Sequence, residues 1–150
     1  MSRFIRTLLG VAAMLCTTTL VPQVAQADEM IAVPYRDVLA VPLAKEKLSP
    51  AVRLYFGDQL YPQPDKEEGG FYFTRRVNKA FKSGEEACRG AALEALTDLQ
   101  KRANDIGANA VTHISSYYSK QLRSDDSLDC HVGMFTVEVT LKGKLAIISG

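Results

Sequence analysis

Residues 83–118 read SGEEACRGAALEALTDLQKRANDIGANAVTHISSYY, and this stretch decides the fold. Ser83-Gly84-Glu85-Glu86 fits a capping box, in which the Ser83 hydroxyl accepts from the Glu86 amide and the Glu86 carboxylate reaches back to the Ser83 amide. Glu85 and Glu86 sit where a helix dipole favours negative charge, and Lys101 and Arg102 where it favours positive charge. Between them Cys88, Ala92, Ala95, Leu96, Leu99, Ala103 and Ile106 recur at steps of three and four, forming one apolar stripe. Glu94, Asp98, Lys101 and Asp105 occupy the opposite, solvated side. Gly107 follows the last apolar residue and suits the left-handed conformation that ends a helix. After it the period falls to two: Ala110, Thr112 and Ile114 on one side, Val111, His113 and Ser115 on the other. The spacing predicts a helix over 84–106 and a strand over 109–118 that returns beneath it.

Working outward, Val52, Leu54 and Phe56 alternate with Arg53 and Tyr55 in a strand that Gly57-Asp58 ends. Residues 58–70 hold Pro62, Pro64, the charged run Asp65 to Glu68 and Gly69-Gly70, and read as an exposed loop. Phe71 to Val77 is a second strand, and Ser119 to Asp129 a polar hairpin loop. A long strand is expected from Cys130, with Gly133, Phe135, Val137, Val139 and Leu141 on one face. Val132, Met134, Thr136, Glu138 and Thr140 lie on the other. Gly143 should break it before a short terminal strand at Leu145 to Ile148. Residues 28–50, with Ala32-Val33-Pro34 and Ala40-Val41-Pro42, read as an extended arm. The expected fold is an α+β domain over 51–150: an antiparallel sheet of about four strands with the long helix packed across one face. Val111, Val132, Met134 and Thr136 would make the far face apolar, to be covered by Val33, Val38 and Val41 of the arm or by another subunit.

Residues 1–27 resemble a secretory signal: Arg3 and Arg6, an apolar run from Leu8 to Leu20, and Ala25-Gln26-Ala27 before a cleavage point near Ala27-Asp28. The run is short for a membrane span and contains Thr17, Thr18 and Thr19, so no stable membrane anchor is expected. Cys16 invites a lipoprotein reading, but Leu15 stands where a small residue is wanted, so Cys16 should leave with the signal. The expected location is the periplasm or the exterior. The remaining chain carries 16 basic against 17 acidic residues, with no basic surplus for nucleic acid or an anionic membrane surface. Two cysteines, Cys88 and Cys130, are left in an oxidising compartment, where such a pair is expected to form a disulfide.

Cys88, Cys130, His113 and His131 are also the residues a zinc or copper site would use, and a metal-binding protein built on Cys88, Cys130 and His131 is the competing reading. The spacing does not support it: there is no C-x-x-C or H-x-x-x-H pair, and adjacent strand residues such as Cys130 and His131 point to opposite faces. Phosphate loops, nucleophile elbows, zincin and dinucleotide motifs are all missing, so no catalytic residue and no cofactor is assigned. Glu67-Glu68 and Asp125-Asp126 read as solvated loop charges rather than an acid/base pair. Tyr117-Tyr118, with Tyr55, Tyr61 and Tyr72, could build a binding face or be packing at strand ends.

At Gly107-Ala108-Asn109-Ala110-Val111 the chain resembles the YbjQ-like family of small α+β proteins and the related domain of the Rcs envelope-stress lipoprotein. Over about residues 52–143 it is similar to small exported proteobacterial proteins often labelled excinuclease ATPase subunit. Those share stretches like Leu54-Tyr55-Phe56-Gly57-Asp58-Gln59, Glu85-Glu86-Ala87-Cys88 and Ser115-Ser116-Tyr117-Tyr118, then a cysteine strand and Leu141-Lys142-Gly143. The label implies DNA repair, which this chain cannot support without a phosphate loop or zinc modules. The resemblance implies a fold, a tendency of the YbjQ-like relatives to form rings of identical subunits, and, from the stress lipoprotein, a disulfide holding a similar core. It transfers no metal ligands. The expected function is a non-enzymatic module that binds an envelope partner or another copy of itself.

Overall fold

The computed structural model describes residues 28–150, so the signal-like segment 1–27 and Cys16 lie outside the described residues. The chain runs β1 (Glu29–Pro34), α1 (Tyr35–Leu39), α2 (Ala44–Lys47), β2 (Arg53–Phe56), β3 (Lys66–Asn78), α3 (Gly84–Asp105), β4 (Ala110–Ser116), β5 (Ser127–Val132) and β6 (Thr136–Ile147). It is an α+β fold in which one long helix covers one face of one sheet. The sheet has six strands rather than four, and it is mixed, because β2 joins β4 in parallel.

β6 is the spine. β3 pairs along its whole length on one edge, while β5 and β4 share the other edge, opposite Val137–Val139 and Leu141–Ala146 respectively. β1 extends the sheet beyond β5, and β2 extends it beyond β4. α3 lies over β6 and β3, with α1 and α2 beside it on the same side.

Both ends of α3 form as the local sequence dictates. The Ser83 hydroxyl accepts from the Glu86 amide at 3.1 Å. At the other end Gly107 adopts φ +75° while the Ala108 amide returns to the Ala103 carbonyl at 2.8 Å, a Schellman-type stop. Cys88, Ala92, Ala95, Leu96, Leu99 and Ala103 are buried as the stripe requires, but Ile106 is not. Ala87, Ala91, Leu93 and Gln100 are buried as well, widening the apolar arc, because the N-terminal helices cover a second side of α3. Arg75 on β3 clamps Asp98 with two bonds of 2.5 and 2.6 Å, and the Arg102 guanidinium lies 5.2 Å above the Phe71 ring.

Several expectations are corrected. The segment 28–50 is not an extended arm over the far face: only 29–34 is extended, as an edge strand, and Val33, Tyr35, Val38 and Ala44 are buried in the core under α3. The charged run at 65–68 is not a loop tip but the start of β3, with Lys66, Glu67 and Glu68 opposite Ile147, Ala146 and Leu145. An edge strand tolerates charge because one of its faces meets water. Cys130 does not open the last strand. It sits in β5, and a turn at Gly133–Phe135 separates it from β6, leaving Met134 and Phe135 exposed.

Nor does Gly143 break a strand. β6 runs through it to Ile147, and a Cβ there would come within 2.8 Å of a Val111 methyl. The glycine lets β4 and α3 close over the spine. Finally, Val111 faces the helix rather than away from it. β4 takes three steps from Val111 to Ile114 where β2 takes two from Leu54 to Phe56, and a like shift occurs against β6. This β-bulge reverses the alternation, so Val111 and Ile114 both enter the core. Val132 also packs against that core, so the far face lacks the apolar surface expected of it.

Candidate functional site

With α1, α2 and α3 on one side, most of the opposite face of the sheet is left open, and its residues follow from the register. β6 contributes Glu138, Thr140, Lys142 and Lys144, and β3 contributes Glu67, Tyr72, Thr74 and Arg76 opposite them. Near one end Ala110, Ala146 and Ile148 pack with Tyr55 and Tyr61 in a small second cluster. The rest of the face is polar and aromatic. Tyr72 and Tyr117 approach at 6.0 Å between ring centres, and the Lys142 ammonium sits 4.8 Å over Tyr117. The Tyr118 ring stacks on His131 at 5.4 Å, and His131 also meets Asp28 at 3.3 Å. The five tyrosines singled out in the sequence therefore do sit on this face or at its margin.

At its centre is a network that the sequence did not announce. The β4 bulge puts His113 at φ +50°, a conformation uncommon outside glycine, and re-aims its ring beside Tyr61. Glu67 accepts from the Thr112 hydroxyl at 2.8 Å, from the Tyr61 hydroxyl at 3.1 Å and from the Lys144 ammonium at 2.9 Å. An ionised carboxylate only accepts, so the single Tyr61 proton goes to Glu67. The 3.1 Å contact between Tyr61 and His113 then has the His113 Nδ1–H as donor.

Burial works to raise the Glu67 pKa, but the bonds from Lys144, Thr112 and Tyr61 outweigh it and hold the carboxyl below the usual glutamate value. Burial, and then the bond to Glu67, pushes the Tyr61 phenol up. Because the folded-state pKa of Glu67 is depressed, its contribution to stability is complete above the ordinary carboxylate pKa. It is lost as pH falls through the folded value. Glu67→Gln is expected to flatten the acid side of the stability profile, measured as urea midpoints from neutral pH downward. An unchanged acid limb would show that the network carries no such linkage.

The other carboxylates considered have simpler, local partners, Asp125 also accepting from the Ser127 amide at 2.9 Å. Glu68 pairs with Lys66, Asp125 with Arg123, and Asp126 accepts from the Ser127 hydroxyl. A second concavity, about 610 Å³, opens between the β1–α1 corner, the end of β2 and residues 124–126. Tyr35 and Phe56 line it with ring centres 4.3 Å apart, and the Tyr35 hydroxyl is buried without a hydrogen-bond partner. Gly57, at φ +53°, allows the close approach of that wall, since a Cβ would collide with the Ser124 carbonyl oxygen.

Cys88 and Cys130 are joined in a disulfide, Cα atoms 6.0 Å apart and both residues fully buried, tying the first turn of α3 to β5. His131, next in sequence, stands opposite Glu138 on the open face, so Cys88, Cys130 and His131 are not brought together. Among the described residues no group of three or more His, Cys, Asp or Glu side chains could hold a metal ion. No helix among them is long and apolar enough to cross a membrane. Compared with protein-family models, curated proteins and solved structures, the chain matches none.

Proposed function

We propose that the chain is an exported binding module of the cell envelope, not an enzyme, and that its working surface is the open sheet face. The observation that carries this reading is the face itself. A sheet covered by its three α-helices on one side keeps on the other side Tyr61, Tyr72 and Tyr117 interleaved with His113, Lys142 and Lys144. Aromatic rings offer large contact area at small entropic cost, and cations over them select the partner's charge. The occupant is an envelope partner or a second copy of this chain.

Amine footprinting tests it. Lys142 and Lys144 should label more slowly in intact cells than in purified dilute protein, while Lys45 and Lys47, outside the face, label equally in both. If all four label alike in the two settings, the face is unoccupied and the reading fails. The mass of the purified protein across concentrations separates the two occupants: protection that follows concentration in vitro identifies a second copy. The competing metal reading would require free thiols at Cys88 and Cys130, so a thiol titration of the protein from its native compartment decides against one of the two.

A further inference from the structure

Beside the Glu67 network lies a cleft of about 270 Å³, lined by His113, Ser115, Leu122, Ser124, Lys142 and Lys144. Its floor is nearly bare backbone. Gly143 turns its missing side chain toward Val111 on the far side, and the β3 bulge puts Gly70 at φ +94° with nothing near its Cβ position. The volume suits a small molecule or a single terminal group rather than a macromolecular segment. Of its two lysines, Lys144 is neutralised by Glu67 at 2.9 Å. Lys142 has no carboxylate partner among the described residues; its ammonium rests over Tyr117. No acidic side chain lines the cleft, so its charge is uncompensated and positive.

The donors can be counted. The Ser115 hydroxyl gives its proton to the His113 carbonyl at 3.0 Å, and so can only accept in its 3.1 Å contact with Ser124. The Ser124 hydroxyl therefore donates to Ser115 in the free protein, and its proton must leave that contact to reach a ligand. Leu122, largely exposed, supplies an apolar wall next to the two charged groups.

We propose that this cleft binds a small oxyanion attached to an apolar body. The anion is held by the Lys142 ammonium and the Ser124 hydroxyl, and the body lies against Leu122. This rests on the reading of the open face as a binding surface and names the chemistry at its centre. A carboxylate and a phosphate share that chemistry, so both are used as probes.

The test titrates isotope-labelled protein with sodium benzoate and, separately, with inorganic phosphate at constant ionic strength, following amide shifts. Saturable shifts at Gly70, Ser115, Ser124 and Lys142 are expected with at least one probe. Saturation by benzoate alone identifies a carboxylate ligand, and by phosphate alone a phosphate. Losing the charge-assisted bond in Lys142→Gln should weaken binding about tenfold. Lys82→Gln, remote from the cleft, should change nothing. No saturable shift with either probe, or equal affinity in Lys142→Gln, overturns the proposal. Protected lysines in cells with no anion binding would sink the cleft assignment and leave the face reading intact. Anion binding without protection would do the reverse.

Discussion

Cys88→Ala is expected to lower stability by about 2–5 kcal/mol, the range for native bridges in small exported domains. The chain-entropy estimate for the loop between Cys88 and Cys130 falls inside that range, at about 4 kcal/mol. For a domain of this size the melting temperature should drop by about 10 °C or more. The bond reinforces a light contact: α3 rests mainly on β6 and β3, whereas β5 and β1 lie on the far side of the spine. Cutting it leaves the α3 N-terminus against β5 held by packing alone, such as that of Gly84 on Val132. Reduced wild-type protein should melt close to Cys88→Ala, because reduction removes the bond but keeps both sulfurs in place. The bridge is expected to be structural rather than redox-active. Both cysteines are fully buried, so an attacking thiolate cannot reach them, and Glu85 and Glu86 put negative charge at the helix end that would otherwise favour a Cys88 thiolate. Variants at Cys88 and Cys130 that melt like the wild type under non-reducing conditions would show that the bond does not stabilise the fold.

Gln100→Leu is expected to cost about 2–4 kcal/mol, despite nearly conserving volume. Gln100 is only 4% exposed, and it sits on α3 facing the turn that leads into β2. Its Oε1 accepts from the Ser49 amide at 2.8 Å, and its Nε2 donates to the Ser49 carbonyl at 3.0 Å and to the Val52 carbonyl at 2.6 Å. One side chain thus satisfies three main-chain groups, and leucine would leave all of them without that partner. The Val52 carbonyl, in a buried bond, has the least access to replacement water. Urea unfolding measures the loss, and hydrogen exchange at the Ser49 amide should quicken beyond the global effect. A change within about 0.5 kcal/mol, typical of an indifferent surface site, would show that the turn holds itself.

These two side chains mark different limits of sequence reading. The cysteine pair was legible because residues 28–150 hold two thiols and so one possible bridge. Gln100 was not, since its partners lie 48 and 51 positions away and a single polar residue in an apolar arc looks like a flaw in the stripe. The same holds for the open face. Its tyrosines were visible as a set, but Glu67 was hidden in a charged run that reads as a loop. Val111 was assigned to the far face by simple alternation, which a bulge invalidates without changing composition.

What the sequence by itself determined is what local chemistry controls. The Ser83 cap, the Gly107 stop, the buried stripe from Cys88 to Ala103 and the strands on either side of the helix all depend on interactions within a few residues. The tertiary structure alone decided the strand number, the parallel β2–β4 pair, the hairpin between β5 and β6 and the bulge at His113. It also decided that the N-terminal segment packs beside the helix instead of across the sheet. Each of these is set by which strand lies next to which, a choice made by long-range pairing and close fit around Gly143. A period of two fixes which residues share a face only while no residue is added, and the added residue in β4 is defined only against its neighbours.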